Sequence, residues 1–309
     1  MPSSSRREFV FQLAAVASTL TGASVLSGCG GDGDEPEAAF LYGVASGDPL
    51  ADRVILWTHA RLPASDEPVT LRWEVAEDAG FTRIVASGTV VASAASGHTA
   101  KVDAAGLAAG RSYHYRFVAG TARSPVGQTR TLPGTAANEV RFAVMSCTNY
   151  PAGYFNVYAE VAKSDAEFAI HLGDYIYEYA ANGYASAGAA ALGRSSLPAN
   201  ELLSLADYRQ RHAQYKSDPD SKALHARLPM IAVWDDHEIA NDAYQDGAEN
   251  HDPAAEGPWA ARRTAAIQAW HEWMPVRSGP ALDRIYRSFD VGSLVSLHML
   301  DTRLVGRDR

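Results

Sequence analysis

Three stretches of this chain carry residues able to bind cations or move protons, and each follows an apolar run. Phe168-Ala-Ile-His-Leu172 is of buried-strand type, and Gly173, Asp174 and, three residues on, Tyr177 come directly after it. Val140–Met145 leads into Ser146-Cys147, and Pro229–Trp234 leads into Asp235-Asp236-His237. Open α/β sheets hold their ligands at the carboxyl ends of the strands, so the three sets are expected on one rim. A thiolate, a phenolate and a carboxylate make an anionic pocket for a trivalent or borderline cation; two more carboxylates suit a second, harder ion. His237 stands where it can donate a proton or contact a substrate. Two ions about 4 Å apart that share a carboxylate clamp a phosphoryl group and generate hydroxide for in-line attack. The alternatives are plainer. Gly-Asp after a strand also fits a turn with a helix cap. Cys147 can be a buried thiol or an intermolecular partner, which would leave a centre of two calcium ions or zinc.

The elements that must position these residues fall into two groups. From Phe40 to about Thr135 the pattern is β: Val54–Trp57, Val69–Val75, Ile84–Val91, Thr99–Val102 and Ser112–Val118 alternate or run apolar between turn residues. Short strands at this spacing predict a β-sandwich over 40–135, and Leu107–Tyr113 resembles the approach to a tyrosine corner. His59, His98 and His114 lie in this part without carboxylates at ligand spacing and read as structural. Thr131–Asn138 is a Pro/Gly-containing boundary, after which strands and helices alternate. The spacing predicts helices over Gly153–Lys163, Ser204–Lys216 and Gly257–Met274, a surface loop over Ala180–Asn200, and a strand pair over Ile285–Phe289 and Leu294–Leu300.

The chain has 309 residues, 47% hydrophobic and 20% charged, enough for about two domains with a proper core. A formal charge of −9 argues against a nucleic-acid-binding surface and gives no attraction to an anionic membrane. Membrane contact would need an anchor, and the first residues read as one. Ser5-Arg6-Arg7-Glu8-Phe9-Val10 is a twin-arginine signal, and the mildly apolar run behind it, about 16 residues long, is too short and weak to stay as a span. Leu26-Ser27-Gly28-Cys29 resembles a bacterial lipobox. The reading is a signal over 1–28, lipidation of Cys29, an acidic tether over 29–39, and export to the cell envelope, periplasmic or at the outer surface, held by the lipid alone. Of two cysteines, that leaves Cys147 unpaired.

Gly43-Val-Ala-Ser-Gly-Asp-Pro49, Val54-Ile-Leu-Trp-Thr58, Ser146-Cys147, His171-Leu-Gly-Asp-Tyr-Ile-Tyr-Glu178, Trp234-Asp-Asp-His-Glu238 and Leu300-Asp-Thr-Arg303 together resemble the PhoD-type alkaline phosphatase/phosphodiesterase family, a branch of the calcineurin-like metallophosphoesterases. The resemblance implies an α+β, two-domain chain: a β-sandwich of fibronectin-III/Ig-like type, then an α/β/β/α metallophosphatase domain over 138–309. It implies an iron(III)–calcium centre (Fe(3+) and Ca(2+), with other divalent metals as second choice). By motif position Cys147 and Tyr177 would bind iron and Asp174 would bridge. Asp236 falls where relatives place an asparagine ligand of the second metal, His237 falls on their catalytic histidine, and Asp235 is a calcium neighbour. Arg303 would face the phosphate, or else close a structural turn through an internal salt bridge. The implied activity is hydrolysis of phosphate mono- or diesters, by a metal-activated hydroxide.

One departure qualifies this. The family completes its metal site from a Gly-Asp-x-His segment downstream of Leu-Asp-Thr-Arg, whereas this sequence stops at Arg309. The expectation is therefore a C-terminally truncated catalytic domain. The alternative function is a catalytically incomplete surface lipoprotein that binds metal or phosphorylated ligands.

Overall fold

The computed structural model describes residues 37–135, 137–282 and 284–308. The twin-arginine leader, Cys29 and the tether up to residue 36 lie outside the described residues.

Alternating apolar residues set the first strands: β1 (Val44–Gly47), β2 (Arg53–His59), β3 (Val69–Ala76), β4 (Ile84–Ala92), β5 (Thr99–Ala105) and β6 (Ser112–Ala119), then the short β7 (Ala122–Arg123) and β8 (Gly127–Arg130). β4-β3-β6-β7 make one antiparallel sheet, with β8 also paired to β6. Leu71, Val75, Tyr113, Tyr115 and Phe117 from that sheet share a core with Val44, Val54, Leu56 and Ala104 of β1, β2 and β5. The Tyr113 hydroxyl accepts the N–H of Ala108, 2.9 Å away and five residues upstream, as a tyrosine corner does.

The second part runs β9 (Phe142–Met145), α1 (Asn156–Lys163), β10 (Phe168–His171), α2 (Ala189–Leu192), α3 (Leu205–Ser217), α4 (Pro219–Arg227), β11 (Met230–Ala232), α5 (Pro253–Glu256) and α6 (Trp259–Trp273). The hairpin β12 (Arg287–Val291) and β13 (Val295–Met299) comes next. β9, β10 and β11 pair in parallel, as the strand–helix alternation requires. The sheet continues past β11. β1 lies parallel to it, with Gly47 opposite Met230, so that β5-β2-β1-β11-β10-β9 is one six-stranded sheet. Val44-Ala-Ser-Gly47 has too few large apolar residues to read as a strand, yet all four residues are buried. Gly47 allows the junction because a Cβ there would stand 2.2 Å from the Pro275 carbonyl and 2.4 Å from that of Met230. Next to it, fully buried Asp48 accepts Arg287 Nη2 at 2.5 Å and Nε at 2.8 Å, which pins β12 to the same junction.

Local differences from the sequence expectation have physical causes. Val140–Met145 reads as a buried strand, but β9 ends the sheet with a single neighbour and Val144 is 59% exposed. α4 has no apolar period because it buries Ser221 and His225 beside Leu224. Its start is set by Pro219 and by the Asp218 carboxylate, which caps the N–H groups of Asp220 and Ser221. The segment 180–200 is a loop interrupted by the single-turn α2, and Arg194 ties it to Asp218 through a buried ion pair at 2.7 Å. No helix among the described residues is long and apolar enough to cross a membrane.

Two outcomes are expected. Gly47→Ala forces two backbone segments apart and should cost about 2 kcal/mol in urea unfolding. Burial holds the His59 imidazole down to about 4 and those of His212 and His271 to about 3. These groups stay neutral when folded but take up protons on unfolding below about pH 6.5. Their contribution is complete above that pH and is lost as pH falls toward 3–4, at about 1.4 kcal/mol per pH unit for each group. Circular-dichroism melts between pH 7 and pH 4 should show a steep fall in Tm.

Candidate metal centre

The turns after β9, β10 and β11 meet, and backbone geometry shows how closely. Cys147 and Asp174 both take left-handed conformations, with φ of 59° and 53°, which residues with side chains seldom adopt. Hydrogen bonds between the turns hold them there. Cys147 N–H donates to Gly173 O at 3.1 Å, and Thr148 N–H to Asp174 O at 2.8 Å. Gly173 (φ 107°) lets the third turn approach, since a Cβ there would lie 2.4 Å from Asp235 N. The Glu238 carboxylate, 1% exposed, accepts the N–H groups of Asp174 (3.1 Å), Tyr175 (2.6 Å) and Asp235 (2.8 Å). Buried His171 braces the same turns: Nε2 lies 3.1 Å from Thr148 Oγ1 and 3.0 Å from the Tyr158 hydroxyl, and Nδ1 accepts Gly173 N–H at 3.3 Å.

Inside this frame, ligand atoms of Asp174, Asp236 and His237 lie within 4.8 Å of one another. The Tyr177 hydroxyl donates to Asp174 Oδ2 at 3.2 Å; Cys147, on the neighbouring turn, is exposed and stands outside the Asp174–Asp236–His237 group. The other Asp174 oxygen, Oδ1, is buried without a hydrogen-bond partner. A buried carboxylate oxygen left bare among other acidic groups fits a cation. Burial, with repulsion from Asp236 and Asp235, raises the Asp174 carboxyl, and burial beside Asp174 and Cys147 pushes the Tyr177 phenol up. A cation would relieve both.

His237 stacks on Tyr177, with ring centroids 4.3 Å apart. Its Nδ1 lies 2.8 Å from Glu178 Oε2. Burial alone would lower this imidazole, but the Glu178 bond, helped by Asp174 and Asp236, outweighs burial and raises it to about 9. Glu178 also accepts the Asn241 N–H at 2.7 Å, so the histidine's partner is itself fixed.

Asp235 and Arg303 face each other. Arg303 Nε and Nη2 engage the two Asp235 oxygens at 2.5 and 3.0 Å, and the same guanidinium reaches Asp236 at 3.3 Å and Asp242 at 3.2 Å. Arg303 thus pairs with aspartates of distant turns, while the Asp301 carboxylate of its own motif accepts its backbone N–H at 3.0 Å. With both Asp235 oxygens taken, the cluster that could hold an ion is Asp174, Asp236 and His237, with Cys147 and Tyr177 beside Asp174. Glu178 and Glu238 went unassigned in the sequence reading. Their one signal was a carboxylate set against apolar neighbours in a strand-end motif, which does not say what it will accept.

Residues 142–309 match the family model of the PhoD-like phosphatases, and residues 27–133 match that of the PhoD-like phosphatase N-terminal domain. Alkaline phosphatase D of Bacillus subtilis (strain 168) is 42% identical over 279 residues, which cover 85% of this chain and 46% of that protein. A solved structure of PhoD superposes with a TM-score of 0.79 at 40% identity, covering 89% of this chain and 54% of that one. The chain thus spans about half the length of the relatives it matches. On both family models, and at 42% identity over 279 residues, this chain belongs to the PhoD-like phosphatase family.

Proposed function

We propose that this chain is a metal-dependent phosphoric ester hydrolase of the alkaline phosphatase D kind, acting on phosphate mono- or diesters. The observation that carries the reading is the gathering of Asp174, Asp236 and His237, with Tyr177 bonded to Asp174 and the Cys147 turn hydrogen-bonded alongside, around a carboxylate oxygen that has no hydrogen-bond partner among the described residues. Cys147 and Tyr177, with Asp174, are suited to iron(III); Asp236 with Asp174 is suited to calcium or another hard divalent ion. Bound there, such ions neutralise phosphoryl oxygens and acidify water.

The chain's own residues do the rest. Glu178 accepts from His237 Nδ1, which fixes the ring and leaves Nε2 to give a proton to the departing alkoxide. Arg303, held by its aspartates, keeps a positive charge at the edge of an anionic site and so favours a phosphate there. Asp235 contributes by holding Arg303 in place. The N-terminal strands form a β-sandwich of fibronectin-III/Ig-like type, a reading supported by the core their two sheets share, and the boundary near residues 135–138 is supported by the two family models, which meet between 133 and 142.

Export rests on the leader alone. The twin-arginine pair followed by the lipobox supports a lipoprotein anchored through Cys29 at the cell envelope. Labelling with radioactive palmitate should mark the full chain, and Cys29→Ala should abolish the mark; a label that persists overturns the anchor.

The catalytic reading is tested on the 309-residue protein. Loaded with iron and calcium, it should show a phenolate-to-iron absorption band and release nitrophenol from p-nitrophenyl phosphate. Cys147→Ser should lower iron content and shift the band, and turnover should fall by about 10²-fold or more. A chain that takes up both metals but gives no turnover would leave only a binding role.

A further inference from the structure

The loop after Tyr177 carries a feature the proposed chemistry does not use. Tyr184 is 61% exposed, yet its ring is held in place. It stacks on Tyr177 with centroids 6.1 Å apart and planes 21° apart, and it touches Tyr179 at 5.6 Å. Both of those rings pack against His237, at 4.3 and 5.4 Å. Aromatic surface thus runs without a break from the histidine of the site to an outward-facing ring.

The backbone around Tyr184 is fixed on each side. Before it, Gly183 N–H closes a turn onto Ala180 O at 2.8 Å and Ala181 N–H bonds to Ala199 O at 2.9 Å; after it, the Ser186 hydroxyl donates to Gly183 O at 2.7 Å. The buried Arg211 guanidinium collects the carbonyls of Tyr177, Tyr179, Leu197 and Pro198. Tyr184 is positioned by its ring, through its contacts with Tyr177 and Tyr179. Leaving one face of a large aromatic ring in water forgoes burial energy, and a flat ligand group laid on that face would recover it.

We propose that Tyr184, with Tyr179, forms an aromatic platform that stacks the organic group of the substrate, and that the preferred esters carry a nucleobase or another planar ring. The inference rests on the phosphate-ester site described above and adds the class of group attached to the phosphate. Along the 177–184 segment that leads away from the phosphate-ester site, Tyr184 offers an exposed ring face and the half-buried Tyr179 ring lies against it. Stacking tolerates any base, so the platform selects for planarity and leaves base identity unread.

Binding tests this without depending on turnover. The full chain, loaded with iron and calcium, is titrated calorimetrically with adenosine 5′-monophosphate and with ribose 5-phosphate, which differ only in the base. The expected result is tighter binding of the nucleotide by at least about fivefold, the range base–aromatic stacking supplies. Tyr184→Ala should collapse that ratio toward one, and Tyr184→Phe, which keeps the ring, should preserve it. Equal affinities in the unaltered chain, a ratio that survives Tyr184→Ala, or one lost in Tyr184→Phe would each overturn the platform while leaving the phosphate site standing. Failure of both compounds to bind would overturn the phosphate site, and the platform with it.

Discussion

A single buried carboxylate holds the candidate site together. Glu238 takes the backbone N–H groups of Asp174 and Tyr175 from one turn and that of Asp235 from another, in a place closed to water. Burial and the nearby Asp174 push its own carboxyl up to about 8, while the three N–H donors work in the opposite direction. The left-handed backbone of Asp174 is uncommon for a residue with a side chain, and such conformations persist where their surroundings over-determine them. The Glu238 bonds, the hydrogen bonds to the Cys147–Thr148 turn and the close approach at Gly173 supply that over-determination. The turn after β10 is thus fixed by contacts to both of its neighbours, and not by its own strand alone.

Charge is arranged on the same plan. The rim gathers Asp174, Asp235, Asp236 and Glu178, against which the described protein sets His237 and Arg303. Arg303 is spent on the outer aspartates, and His237 is held by Glu178. Asp174 keeps an oxygen that no group among the described residues satisfies. Interior electrostatics make such a group costly unless a cation shares it. The rim's acidity is thus a set of carboxylates with assigned partners and one bare oxygen.

The N-terminal strands are structurally part of this site's support. β1 extends the parallel sheet, so that the sheet carrying the Cys147, Asp174 and Asp236 turns also shares a core with the β4-β3-β6-β7 sheet. Trp57 Nε1 donates to Glu272 O at 2.8 Å and Lys101 Nζ to His271 O at 2.6 Å, tying β2 and β5 to the end of α6. Two family models cover this chain with their junction between residues 133 and 142, yet hydrogen bonding crosses from one part to the other at Gly47 and Met230.

Much of this was legible in the residues themselves. The strands of the sandwich announce themselves by alternation, β10 and β11 by short apolar runs, and the rim by the polar residues placed directly after those runs, because strand periodicity is local and a strand's end fixes where the next side chains stand. Family membership was legible too, since the motifs sit at the turns that geometry constrains most. The sequence could not place β1, whose small residues have meaning only beside Met230 and Pro275, nor α4, whose buried face is polar. It could not say that Arg303 reaches Asp235, Asp236 and Asp242, residues far from it along the chain. Those were decided by tertiary structure, for one physical reason: a charged side chain's role depends on which partners reach it through space, and chain order does not record that distance.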